Sequence, residues 1–181
     1  MAQHYETLED FISDAATKGV LVPDELVGCS DEEILALEAK YSVRLPNLYR
    51  QFLQTMGHGS GHLFQYDHFD AQYKDVLTLT EDYRNADHSL DESEYAPEVY
   101  AELLTLGPPP TLSEDSFIIL GRLGDHFEFI QCKAASDSAV YYFNEETPVP
   151  TQGWGSVLDW LASMLNEATE ALASGYFDGL H

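Results

Sequence analysis

The chain has 181 residues, of which 44% are hydrophobic and 12% aromatic, a composition typical of one folded domain. Its 32 acidic residues against 8 basic ones give a formal charge of −24, which argues against nucleic acid or an anionic membrane as a direct ligand. The charge favours a basic protein partner, whose approach it would steer, and solubility alone is the other explanation of it.

The first half of the chain is predicted to be helical. Apolar spacing predicts one helix over Tyr5–Ala16. Ser30 and Glu33 form a capping box, which predicts the start of a second helix. Pro46 marks the start of a third helix, because its missing N–H costs nothing in a first turn. Glycines at 57, 59 and 61 end that helix.

The middle of the chain combines one predicted strand with two predicted helices. Partial alternation predicts a strand over His62–Tyr66. A helical pattern follows over 73–86, and a second one over Pro97–Leu106. The run Gly107–Pro110 ends the latter helix and forces an extended passage.

The last third predicts a sheet and a closing helix. Three successive strands are expected over 116–121, 126–131 and 139–143, which suggests an antiparallel meander. Ser156 precedes a final amphipathic helix. The sequence therefore predicts an α+β single domain, with helices flanking a mostly antiparallel sheet.

Several segments also resemble a known family. Leu45-Pro46-x-x-Tyr49-x-x-Phe52-Leu53, after an acidic capped helix and before a glycine-rich turn, resembles the SUKH superfamily (SMI1/KNR4-like domain). The later segments 117–121, 140–143 and 156–161 extend this resemblance from about Ser30 to Leu165. Family members often carry Asn-Gly after the second helix of the motif, whereas this chain reads Met56-Gly57-His58-Gly59.

The resemblance implies one SUKH-like domain over 1–181 and a non-enzymatic binding function. Residues 67–110 match least and are interpreted as an acidic insertion. The family includes bacterial immunity proteins that neutralise polymorphic toxins, many of which are nucleases with basic substrate grooves. It also includes cell-wall-assembly regulators, so an intracellular scaffold or regulator is the alternative. The partner expected for an immunity protein is a cognate basic toxin, whereas a regulator would bind an endogenous protein.

Charge clustering, rather than the family, indicates where a basic partner would bind. Acidic residues concentrate between 67 and 102, with tyrosines interleaved as candidate anchors. The predicted partner-binding residues are Asp67, Asp70, Asp82, Tyr83, Asp87, Asp91, Glu92, Glu94 and Tyr95. The alternative for the tyrosines is that they cover the core of the insertion.

The sequence gives only weak signs of catalysis or metal binding. The turn Gly57-His58-Gly59-Ser60-Gly61 has the wrong register for a nucleophile elbow and follows a helix. His58, His62 and His68, with Asp67 or Asp70, could bind zinc but match no closed zinc motif, and a hydrolase using this turn is the third hypothesis. We therefore predict no enzymatic activity, no catalytic or metal-ligating residues and no cofactor.

The two cysteines and the absence of targeting signals point to the cytoplasm. Cys29 and Cys132 lie far apart and match no metal-binding spacing, so they are expected to be small buried residues in a reducing cytosol. A disulfide between them stays open as an alternative. The chain shows no signal-peptide pattern and no apolar run of roughly 20 residues.

Overall fold

The computed structural model describes residues 4–89, 91–133, 137–144 and 146–179, and within them it contains six α-helices and a five-stranded sheet. The helices are α1 (Leu8–Thr17), α2 (Asp31–Tyr41), α3 (Asn47–Met56), α4 (Tyr73–Asn85), α5 (Pro97–Leu106) and α6 (Val157–Ala173). The strands are β1 (Phe69–Asp70), β2 (Ser116–Arg122), β3 (His126–Gln131), β4 (Val140–Phe143) and β5 (Thr151–Trp154). All six helices expected from the sequence are confirmed, with boundaries shifted by a few residues.

The sheet is an antiparallel meander in which the strands follow one another in chain order. β3 lies at its centre, where Phe129 pairs with Ile118 of β2 on one side and with Tyr141 of β4 on the other. The β2–β3 register shifts between Ile118 and Leu120. The predicted α+β class with a mostly antiparallel sheet is therefore confirmed.

The edges of the sheet differ from the sequence prediction. Residues 62–66 form turns, so the strand predicted over His62–Tyr66 is wrong. The apolar side chains of this turn are nevertheless buried, because the turn packs on α6. There the Tyr66 hydroxyl donates a hydrogen bond to the Met164 carbonyl at 3.0 Å. The edge strand β5 was not predicted, because prolines precede it and Gly153 interrupts its pattern.

The corner between α2 and α3 is built as the sequence predicts. The Glu33 backbone N–H donates to Ser30 Oγ at 3.2 Å, and the Ser30 N–H donates to Glu33 Oε2 at 2.8 Å, which completes the capping box. Buried Glu38 accepts hydrogen bonds from the Leu45 N–H at 2.8 Å and from Arg50 Nη1 at 2.6 Å. This shared carboxylate fixes the angle at which α3 leaves the corner.

The main core lies between one face of the sheet and the helices α1, α2, α3 and α6, and Val76 of α4 also belongs to it. Trp160 of α6 is fully buried, with its ring 6.1 Å from Phe52 of α3 and 5.5 Å from Phe64. Its indole N–H donates to the buried carboxylate of Glu128 on β3. Cys29 is buried and Cys132 half-buried, and both are free thiols rather than a disulfide.

A second, smaller core lies on the opposite face of the sheet, under α4. Among the described residues, its buried side chains are Tyr83, Leu112, Ile118, Phe129 and Phe143. One hydrogen bond ties α4 to the sheet at this point, because the Ile118 N–H donates to the fully buried hydroxyl of Thr80 at 2.9 Å. α4 is therefore attached to the sheet by both packing and a polar contact.

We predict that Thr80→Val lowers the free energy of unfolding by about 1–3 kcal/mol, because it leaves the buried Ile118 N–H without an acceptor. Urea denaturation monitored by circular dichroism measures this change.

The matched control is Thr169→Val in α6. The Thr169 hydroxyl donates to the Leu165 carbonyl of its own helix, so its removal leaves no buried donor unpaired. We expect a change within about 0.5 kcal/mol for this variant. Equal effects of the two substitutions would contradict the importance of the Thr80–Ile118 hydrogen bond.

Candidate partner-binding groove

A groove of about 770 Å³ opens beside the second core, between α4, α5 and the ends of β3 and β4. Its floor is aromatic and apolar. Tyr83 contributes the central ring, which lies 5.1 Å from the rings of both Phe127 and Phe143. Leu79 of α4 also lines it. A floor of this composition suits apolar anchor residues of a ligand.

Polar contacts hold the groove in shape at the end of α4. The Tyr83 hydroxyl donates to the Pro110 carbonyl at 2.7 Å, and His88 Nε2 is 2.7 Å from the Tyr83 carbonyl. Arg84 Nη2 donates to the carbonyls of Ser113 and Ser116, at 2.8 and 3.1 Å. These contacts draw the proline-containing chain back onto α4. Burial raises the pKa of Tyr83 to about 12, so its hydroxyl stays protonated as a donor.

The far wall of the groove is α5, which buries none of its residues in the protein. Tyr100, Leu103 and Leu104 face the groove. Leu104 is 57% exposed, Val99 46% and Leu106 37%, so three large apolar side chains of one short helix meet solvent. An apolar helix that the described residues leave uncovered is typical of a surface that binds a partner.

The rim of the groove is acidic. Asp82, Asp87 and Asp125 line it, and among the described lining residues there is no lysine or arginine. The Ser89 backbone N–H donates to Asp87 Oδ1 at 2.9 Å, and this bond lowers the pKa of Asp87. Hydrogen bonds from the Ser93 hydroxyl and N–H likewise lower the pKa of Asp91. Both carboxylates are therefore ionised at neutral pH.

The structure brings together part of the predicted partner-binding set. Asp82, Tyr83, Asp87 and Tyr95 all line the groove. Exposed Asp91, Glu92 and Glu94 precede Tyr95 in the loop that leads to α5, and Asp91 caps the short turn Glu92–Glu94.

Two of the predicted residues lie outside the groove, and a third, Tyr83, is buried rather than projecting. Asp67 lies in the turn before β1 and Asp70 in β1, both outside the groove, and Asp67 Oδ2 is 2.5 Å from Arg122 Nη2. Tyr83 is buried, with 6% of its surface exposed, so it forms the floor rather than a projecting anchor. The role of all nine residues in binding stays a prediction.

Most of the aromatic floor of the groove and its α5 wall are not evident from the sequence. Phe127 and Phe143 were identified only as strand residues, and Tyr100, Leu103 and Leu104 only as part of a helix. One signal for them was present, because α5 carries apolar residues on more than one side. Which of these residues converge depends on long-range packing.

The three histidines considered as a zinc site, His58, His62 and His68, do not come together as one cluster among the described residues. His58 Nε2 lies 3.0 Å from Glu33 Oε1, whereas His62 Nδ1 lies 2.9 Å from Gln65 Oε1 and its ring stacks on Phe177. No candidate metal cluster among the described residues includes His62 or His68. The described helices also include none long and apolar enough to cross a membrane.

The fold and the groove together define an α+β domain with an acid-rimmed apolar groove on one side of its sheet. A model of the SMI1/KNR4 family (SUKH-1) matches residues 28–163, from just before α2 into α6. The protein belongs to this family, as the sequence motifs indicate, and the family is generally non-enzymatic. A comparison with curated proteins gives no match. Residues 67–110 lie inside the matched range, and their interpretation as an insertion stays a prediction.

Proposed function

We propose that this protein is a non-enzymatic immunity protein, which binds a basic toxin through the groove between α4, α5 and the sheet and so blocks the toxin. The observation that carries the proposal is the combination of an apolar floor, an exposed apolar helix and an acidic rim at one place. Membership of the SMI1/KNR4 family supports a binding role of this kind.

The charge of the protein favours a basic partner. The net charge of −24 and the three rim aspartates favour a protein surface that carries lysine and arginine. The apolar floor favours one or two apolar side chains set among those cations. We therefore expect the bound segment to be an amphipathic basic helix or loop that inserts between α5 and the sheet.

A nuclease is the toxin class that fits this surface best. A nuclease needs clustered cations to hold phosphates, and an acidic protein surface can occupy the same cations. Such an inhibitor competes with nucleic acid without contacting it. Opposite charges raise the association rate more than they raise the final affinity.

The groove offers little support for catalysis. Its imidazole, that of His88, lies within hydrogen-bond distance of the Tyr83 carbonyl, and the Asp87 carboxylate accepts the Ser89 N–H. Asp82 and Asp125 are exposed to solvent, as expected for a surface that attracts a charged partner. Binding is therefore the function that these side chains favour.

The experiment that tests the proposal is affinity capture of the protein from its own host at low and high salt, followed by growth assays. We expect one stoichiometric basic protein, encoded by a neighbouring gene, that is toxic alone and harmless when co-expressed. Capture should weaken in high salt, because the Debye length falls from about 10 Å at 0.1 M to about 3 Å at 1 M. A non-toxic endogenous partner would instead support the regulator alternative.

Charge reversal at the rim tests the electrostatic part of the proposal. We expect the triple variant Asp82→Lys, Asp87→Lys and Asp125→Lys to slow association with the purified partner by about tenfold or more at low salt, because steering is lost. Surface plasmon resonance measures the rate. The control is Glu6→Lys, Asp24→Lys and Glu25→Lys, which carries the same net charge but alters exposed residues outside the groove. Equal slowing of association by both variants would show that the rim is not part of the interface.

Substitution of one leucine tests the apolar part. Leu104→Gln should weaken binding at least about tenfold through faster dissociation, because an exposed groove residue loses its apolar contact with the partner. Leu35→Gln in α2 is the matched control, since Leu35 is 56% exposed and Leu104 is 57% exposed. An unchanged dissociation rate for Leu104→Gln would show that the partner binds elsewhere on the protein.

A further inference from the structure

Three side chains with metal-binding chemistry meet at the start of α2, away from the groove. They are Cys29, Glu33 and His58, and their nearest ligand atoms all lie within 4.8 Å of one another. Among the described residues, this is the one group of three or more such side chains that is close enough to hold a metal ion. None of these three residues lines the groove proposed to bind the partner.

Backbone hydrogen bonds hold the two loops that carry this group. The His58 N–H donates to the Val27 carbonyl at 2.8 Å, and the Val27 N–H donates to the Gly59 carbonyl at 3.1 Å. The Cys29 N–H donates to the Leu53 carbonyl at 2.8 Å. The thiol and the imidazole therefore sit on segments whose relative position is fixed before any ligand binds.

Two glycines allow the close approach of these loops. A Cβ at Gly28 would lie 1.7 Å from the Gln54 carbonyl oxygen, and a Cβ at Gly57 would lie 2.5 Å from Cys29 Sγ. Any other residue at either position would push Cys29 away from the end of α3. The glycines thus have a steric role in placing the thiol near His58.

Glu33 is oriented from both sides. Its Oε2 accepts the Ser30 N–H, and its Oε1 lies 3.0 Å from His58 Nε2. The Tyr73 hydroxyl donates to the Glu33 carbonyl at 3.1 Å, and the Tyr73 ring lies edge-on to His58, with centroids 5.1 Å apart. The bond from Ser30, followed by His58, lowers the pKa of Glu33, which keeps the carboxylate ionised as a ligand must be.

We propose that Cys29 Sγ, Glu33 Oε1 and His58 Nε2 form a three-ligand site for a thiophilic divalent metal ion such as Zn²⁺. Sulfur, imidazole nitrogen and one carboxylate oxygen suit zinc or cobalt, whereas calcium and magnesium prefer oxygen ligands alone. The side chains of Glu33 and His58 are 39% and 34% exposed, so solvent supplies both the entry path and a fourth ligand.

Metal binding at this site requires loss of one proton. Burial, followed by the charge of Glu33, raises the pKa of Cys29 to about 12, so the free protein holds a neutral thiol. On binding, the Cys29 thiol releases its proton to solvent and the thiolate joins the metal. The His58 ring then carries its proton on Nδ1, because Nε2, which donates to Glu33 Oε1 in the free protein, must give up that hydrogen bond to bind the ion. The bound ion would tie the loop before α2 to the loop after α3, a link independent of any toxin.

Cobalt titration of the untagged, chelator-treated, reduced protein tests the site directly. We expect one equivalent of Co²⁺ to give a thiolate-to-cobalt charge-transfer band in the near ultraviolet, with visible bands of a tetrahedral site, and Zn²⁺ to abolish them. Cys29→Ser should lose the charge-transfer band. His58→Ala, at a partly exposed position that should tolerate alanine, should bind Co²⁺ about tenfold or more weakly.

Matched controls use the remaining thiol and a neighbouring histidine. Cys132→Ser and His62→Ala should both retain the full spectrum, because neither residue belongs to the cluster. Circular dichroism confirms that each variant is folded. A wild-type protein without the charge-transfer band, a band that persists in Cys29→Ser, or a band lost in Cys132→Ser would overturn the proposal.

Discussion

The burial of β2 on both faces is the constraint on which the rest of the structure depends. Phe117, Ile119 and Leu120 belong to the main core, whereas Ile118 belongs to the second core on the opposite face. An antiparallel sheet often leaves one face to solvent, but a continuous apolar run requires covers on both sides. The helices α1, α3 and α6 contribute to the cover of one face. α4 contributes to both cores, through Val76 and Tyr83, and is fixed to β2 by the hydrogen bond between Thr80 and Ile118.

The groove lies where α4 ends and no longer covers the sheet. α4 stops at Asn85, the chain moves outward, and α5 returns without burying any residue in the protein. The space between α5 and the sheet is floored by aromatic rings of the second core and edged by aspartates. The surface that covers β2 and the surface proposed to bind a partner therefore share residues, Tyr83 above all. A partner bound there would complete the packing of α5.

The glycine-rich segment after α3 shows how one motif can suggest chemistry that its geometry does not support. Its glycines and serine suggest a nucleophile elbow, but their register is wrong for one, and Ser60 is buried. Gly57 serves instead to let Cys29 approach the end of α3. The same packing brings His58 beside Glu33, a residue that also caps α2. The Glu33 carboxylate thus both caps α2 and belongs to the group of three potential metal ligands.

The sequence by itself determined the helices, the three central strands and the family, because these depend on local signals such as the Ser30 capping box and the alternation in β3. It also located most of the acidic residues now found at the groove. Only the tertiary structure decided that residues 62–66 are a turn, that Tyr83 is a buried floor, and that Cys29 meets His58. These features arise from contacts between residues distant in the chain, which periodicity and local spacing do not encode.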